Sequence, residues 1–166
     1  GENLITSKSD PVFGGVYKLV AVVDEDGQYQ PKIKLSETAE KITTPHKKMV
    51  YRLFNRESGQ AMADYITLFD EKVPAEGPIT LFDPVDTWKS KTFQDVEIRP
   101  ILKQIFDKGQ CCYEVPDIET VKRYCAEQVE SLWEEVRRFE NPHRYYVDLS
   151  QDLWSCKQRM LAEHKI

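Results

Sequence analysis

The residues best suited to chemistry stand in the run Glu37 to Lys48, where Lys41, His46, Lys47 and Lys48 gather beside the hydroxyls of Ser36, Thr38, Thr43 and Thr44. Ammonium and hydroxyl donors in one loop suit a phosphate, through charge-assisted hydrogen bonds. The competing reading is a solvated turn whose lysines merely offset Glu37 and Glu40. A second candidate is the start, where Gly1 is followed by Glu2 and Asn3. A glycine followed by free backbone N–H groups lets an anion approach closely. The alternative there is a plain strand.

Other residue types carry less. The three histidines, His46, His143 and His164, lie far apart and none has metal-pair spacing, so each suits a surface or capping role. Cys111, Cys112, Cys125 and Cys156 form no CxxC pair, which predicts buried, reduced thiols rather than a zinc site or a disulfide framework. No Walker loop, Gly-x-Gly-x-x-Gly or Gly-x-Ser-x-Gly elbow occurs. Trp133, Trp154, Tyr145 and Tyr146 fall in or beside amphipathic stretches, where core packing is the simpler reading than a stacking platform. Glu130, Glu134 and Glu135 read as a solvated helix face, and Arg137 and Arg138 as complements to that helix's dipole.

The elements that position these residues run strands first and helices last. Val16 to Val23 and Lys32 to Leu35 flank Asp24-Glu25-Asp26-Gly27 and predict a hairpin. Met49 to Phe54 and Ala61 to Phe69, about a turn containing Gly59, predict a second, continued by Ile79 to Phe82. Val96 to Ile105 and Gln110 to Val115 predict a third about Asp107-Lys108-Gly109, with Pro100 at a sheet edge or bulge. After Pro116 the period changes. Ile118, Val121, Cys125, Val129, Leu132, Val136 and Phe139 mark one amphipathic helix, capped by Asp117 and ended by Asn141-Pro142. Ser150 caps a last helix carrying Leu153, Trp154, Met160 and Leu161, with Leu149 and Trp154 as a hydrophobic staple. Strands followed by helices, without a βαβ rhythm or an internal repeat, is the α+β pattern.

A chain of 166 residues with 40% hydrophobic content can bury a real core, and its net charge of −5 gives no basic field for a nucleic acid. No apolar run approaches the roughly 20 residues that cross a bilayer, and the start lacks a signal-peptide pattern, so the chain reads as soluble and cytoplasmic. It opens without Met on what looks like a strand entered partway, which suggests a fragment.

Pro11-Val12-Phe13-Gly14-Gly15-Val16-Tyr17-Lys18-Leu19, then Pro31 to Glu37, Glu40-Lys41-Ile42-Thr43 and Val50-Tyr51-Arg52-Leu53, resemble in order and spacing the C-terminal third of nicotinate phosphoribosyltransferases. Asn141-Pro142-His143, Val147-Asp148-Leu149-Ser150 and Leu153-Trp154 extend the resemblance over nearly the whole chain. It implies an α/β barrel whose end is residues 1–15, a strand-rich domain at 16–116, and a helical segment at 117–166 packed on it. It implies an enzyme that makes nicotinate mononucleotide and pyrophosphate from nicotinate and phosphoribosyl pyrophosphate with ATP and Mg, and that forms a homodimer. Catalytic residues lie upstream in that family and none is assigned here. Gly1, Glu2 and Asn3 fall on its phosphate-binding turn, although many members carry Thr where Glu2 stands, so the backbone role transfers most easily. Lys41 falls on a segment near its active site. The alternatives are a stand-alone binding or scaffold module with the same accessory fold, and a relative acting on nicotinamide or quinolinate.

Overall fold

The structure is a computed structural model that describes residues 15–86 and 88–164. Its centre is a closed five-stranded barrel in the order β3-β4-β9-β5-β6, where β3 is Lys48–Asn55, β4 Ala61–Leu68, β5 Glu76–Phe82, β6 Ser90–Pro100 and β9 Tyr146–Leu149. All neighbours are antiparallel except β4 and β9. Closure leaves no open strand edge in the barrel. Inward positions alternate along β4, where Ala61, Ala63, Tyr65 and Thr67 are buried between half-buried partners. With Leu53, Ile79, Leu81, Phe93, Val96 and Ile98 they fill the interior.

Two expectations for the strands are corrected by local geometry. β6 begins at Ser90 rather than Val96, because its period is broken: Val96 pairs with Gly77 and Phe93 with Ile79, so β6 carries one extra residue there. Asp95 takes φ 49° and Gly77 φ 112° at this bulge, which bends the strand and turns both Phe93 and Val96 inward. The strand stops at Pro100, which pairs with Tyr51 as its last residue, in a barrel without edges. Of the predicted third hairpin only β7, Phe106–Asp107, and β8, Gln110–Cys111, form, as an exposed two-stranded appendage.

The first hairpin forms between β1, Ala21–Val23, and β2, Tyr29–Pro31. Its second strand starts earlier than Lys32. The Asp24 carboxylate accepts from the Asp26 and Gln28 N–H groups at 3.1 and 2.8 Å, which tightens the turn and brings Tyr29 opposite Val23.

Both caps form as the sequence predicts. Asp117 accepts from the Thr120 N–H at 2.7 Å to begin α1, Ile118–Glu130, and Ser150 accepts from the Leu153 N–H at 3.2 Å to begin α3, Gln151–Glu163. α3 buries Leu153, Cys156, Lys157 and Met160 against the barrel. The single helix expected to reach Phe139 is broken at Ser131. The Ser131 carbonyl accepts from the Ala61 N–H at 2.8 Å and Leu132 bridges to Ala61, so the chain leaves α1 to join the barrel rim before a short α2, Glu134–Arg137. β9 then enters the sheet, so the part of the chain after Pro116 supplies a barrel strand as well as helices. The expected end of an upstream barrel at residues 1–15 lies, except for Gly15, outside the described residues.

Candidate functional site

Of the sequence-predicted phosphate ligands, Gly1, Glu2 and Asn3 lie outside the described residues. Lys41 ends a 3-10 turn, Ala39–Lys41, and is exposed. The loop around it is pinned: the Thr43 hydroxyl accepts from the Lys34 N–H at 2.8 Å, and the His46 N–H donates to the Val20 carbonyl at 2.7 Å with His46 held at φ 76°. The three lysines of the run, Lys41, Lys47 and Lys48, do not gather into one cluster. Lys48 Nζ donates to the carbonyls of Thr44, Pro45 and His46 at 2.9, 3.2 and 2.7 Å, and burial pushes its pKa down. Lys47 Nζ donates to the Tyr29 hydroxyl at 2.7 Å and sits 3.5 Å from the centre of the Phe69 ring. Among the described residues Lys41 is the loop lysine whose ammonium has no partner. Two of the three ammonium groups thus hold the loop in place, and the third is presented to solvent.

A second arrangement was not legible as a site. An open cleft of about 840 Å³ lies between β4, β6, β9 and the chain around α2. Asp148, on β9, lines it at 6% exposure. Its carboxylate accepts no hydrogen bond among the described residues. Beside it Lys91 Nζ donates to the Tyr146 hydroxyl at 3.0 Å and lies 4.2 Å from that ring's centre. Exposed Arg144 stands at the rim without a carboxylate within ion-pair reach among the described residues. Trp133 and Tyr145, rings tilted 35° at 5.6 Å, form an aromatic wall. Behind the cleft the buried Lys157 donates to the Pro84 carbonyl at 2.6 Å, and burial depresses its pKa.

Burial, reinforced by Asp83, raises the Asp148 pKa above its usual 3.8, and Arg144 opposes the shift. A folded-state proton held more tightly than in the unfolded chain means that stability falls as pH rises from 3.8 through the raised value, then stays lowered. Asp148→Asn is therefore expected to be more stable than the natural chain at pH 7 and to lose that advantage below the usual carboxylate range. Urea denaturation at several pH values measures this, and an advantage independent of pH would contradict it.

A third group braces the cleft. Arg52 on β3 makes a two-point ion pair with Asp64 on β4, at 2.7 and 3.0 Å, and donates to the Gln128 side chain of α1 at 3.0 Å. The Tyr145 hydroxyl donates to Asp64 at 3.2 Å, and burial raises its pKa. The network ties β3, β4, α1 and the approach to β9 together and has no open coordination of its own.

Cys111, Cys112 and Cys125 are exposed, against expectation, because they sit on the appended hairpin and on α1, neither of which packs into the core; Cys156 alone is buried. His143 and His164 are exposed. Trp154 packs on Phe82 at 5.6 Å and Tyr146 edge-on against Phe93 at 5.6 Å, whereas Trp133 and Tyr145 face the cleft. Among the described residues no three His, Cys, Asp or Glu side chains converge to hold a metal ion. No helix among them is long and apolar enough to cross a membrane.

The model of the nicotinate phosphoribosyltransferase C-terminal domain matches residues 47–157. The chain is similar to nicotinate phosphoribosyltransferase of Bacillus subtilis (strain 168), 41% identical over 99% of this chain and 34% of that protein. The human protein of that name is 32% identical over 98% of this chain and 29% of its own length. A crystal structure of human nicotinic acid phosphoribosyltransferase superposes with a TM-score of 0.65 and 25% identity over 72% of this chain and 24% of that one. The chain thus spans about a third or less of the length of these relatives. The matched stretch takes in every strand of the barrel and the first half of the last helix, and so this chain belongs to the nicotinate phosphoribosyltransferase family and carries its C-terminal domain.

Proposed function

We propose that this chain is the C-terminal part of an enzyme that condenses nicotinate with phosphoribosyl pyrophosphate to give nicotinate mononucleotide and pyrophosphate, coupled to ATP hydrolysis, in the salvage of nicotinate into NAD. Family membership across nearly the whole chain carries this reading. The enzyme works as a cytoplasmic homodimer, and this part supports the catalytic one rather than performing the chemistry. α1 buries none of its residues, and Ile118, Tyr124 and Val129 on it are 69, 60 and 50% exposed. An apolar face left so open suits contact with further protein.

Within that enzyme Gly1, Glu2 and Asn3 offer backbone N–H groups to a phosphate. Lys41, carried by a loop that Lys47 and Lys48 fix in place, offers an unpaired ammonium to charge developing on the departing pyrophosphate. ATP brings phosphates that the same cation suits. Magnesium would accompany the phosphates of phosphoribosyl pyrophosphate and ATP in the upstream part of the enzyme rather than in this part.

The test is a chimera in which this chain replaces the C-terminal third of the Bacillus subtilis relative. Lys41→Ala is expected to lower kcat/KM for phosphoribosyl pyrophosphate by about tenfold or more, the loss of one charge-assisted contact. An unchanged value would remove Lys41 from the phosphate site.

A further inference from the structure

Between Pro100 and Ser131 the chain leaves the barrel and builds β7, β8 and α1 without burying a residue: from 101 to 130 every side chain is exposed or half-buried. Such elements do not stand alone. A lone two-stranded hairpin is marginal in water, and so is a helix of 13 residues. Yet Phe106, Val115, Ile118 and Tyr124 on this arm are 64, 78, 69 and 60% exposed. Apolar side chains left open on marginal elements mark a contact with more protein.

Two hydrogen bonds locate what covers the arm. The Val50 carbonyl accepts from the Ile101 N–H at 3.1 Å, which roots the arm at the start of β3. The Val20 carbonyl accepts from the His46 N–H at 2.7 Å, which ties the entering chain to the residues just before that same strand. Val16 and Tyr17 on the entering chain are 82 and 98% exposed and add to the uncovered apolar surface. This chain spans 34% of its Bacillus subtilis relative and carries the C-terminal domain, so about two-thirds of such a protein joins at this entry. A body tethered there meets the arm at the high effective concentration of an intramolecular contact, an advantage that a second copy lacks.

We propose that the arm of residues 101–130 is the seat of the upstream part of the same polypeptide, whose own apolar side chains cover Phe106, Val115, Ile118 and Tyr124. The inference rests on the reading of this chain as the C-terminal part of a longer enzyme.

The experiment is amide hydrogen exchange on the 166-residue chain alone and on the chain joined to the upstream two-thirds of the Bacillus subtilis relative, with β4 as the internal reference protected in both. Joining is expected to slow exchange in β7, β8 and α1 by at least about tenfold. Ile118→Asp places an acidic group in the first turn of α1, where the helix dipole favours it. It is expected to reverse most of that slowing in the joined protein and to leave the thermal midpoint of the chain alone unchanged, because the side chain is exposed there. Exchange that does not slow on joining, or slowing that Ile118→Asp leaves intact, overturns the assignment. Slowing that vanishes when the joined protein is diluted to the monomer gives the face to a second copy and overturns it too. Turnover without protection of the arm defeats this inference alone, and protection without turnover defeats the catalytic reading alone.

Discussion

Leu53→Ala is expected to destabilise the chain by about 3–5 kcal/mol, the upper part of the range for removing a buried leucine. Leu53 is fully buried in β3, opposite Ala63 on β4 and Ile98 on β6. A closed barrel resists collapse onto the cavity because each wall strand is bonded on both sides. The neighbour at Ala63 is already small and has no side chain to move into the space. Against the 5–15 kcal/mol typical of a domain, such a loss approaches unfolding. Urea denaturation measures it, with Leu53→Met as the volume-conserving control, expected to cost less than about 1.5 kcal/mol. A loss below about 1 kcal/mol for Leu53→Ala would mean that the barrel is loosely packed there.

Asp64→Ala comes next, at about 2–3 kcal/mol. The side chains of Arg52 and Asp64 are 18 and 15% exposed, so removing the carboxylate leaves a guanidinium largely shielded from water and bonded only to Gln128. It also strips the Tyr145 hydroxyl of its acceptor. A fully buried pair broken on one side costs about 3–5 kcal/mol, and residual exposure lowers the figure here. The asymmetry is the informative part. Replacing both partners, as Arg52→Met with Asp64→Leu, is expected to recover most of the loss, because no charge is then stranded. A double-mutant cycle reads the coupling directly. Equal losses in the single and double variants would show that the pair itself stabilises the fold.

How far these features were legible in the chain depends on how each is encoded. The hairpin of β3 and β4 and both helix caps follow from local pattern: alternation about a Gly59 turn, and Asp117 and Ser150 ahead of apolar periodicity. The α+β order was equally readable. What escaped is non-local. The first half of β6 is mostly polar, with a bulge at Asp95 that breaks its period, so only its pairing with β5 reveals it as a strand. β9 is four residues long and becomes a strand because it fills the gap between β4 and β5. The end of α1 is set by a bond from Ala61, roughly half the chain away in sequence.

The candidate sites divide the same way. A run of cations was visible, but nothing in its composition separates Lys48, spent on three loop carbonyls, from Lys41, which is free to act. The cleft draws Lys91 from β6, Trp133 from beyond α1 and Asp148 from β9, so no local motif could announce it. Its one sequence trace was the aspartate of Val147-Asp148-Leu149, which the strand buries next to an equally buried leucine.

Whether this chain serves as the supporting part of a nicotinate phosphoribosyltransferase is tested most directly by product formation. Nicotinate, phosphoribosyl pyrophosphate and ATP are supplied to the purified chain alone and to the chain joined to the upstream two-thirds of its Bacillus subtilis relative. The expected result is no nicotinate mononucleotide from the chain alone and measurable turnover from the joined protein. Turnover by the chain alone, or a folded joined protein without any, would contradict it.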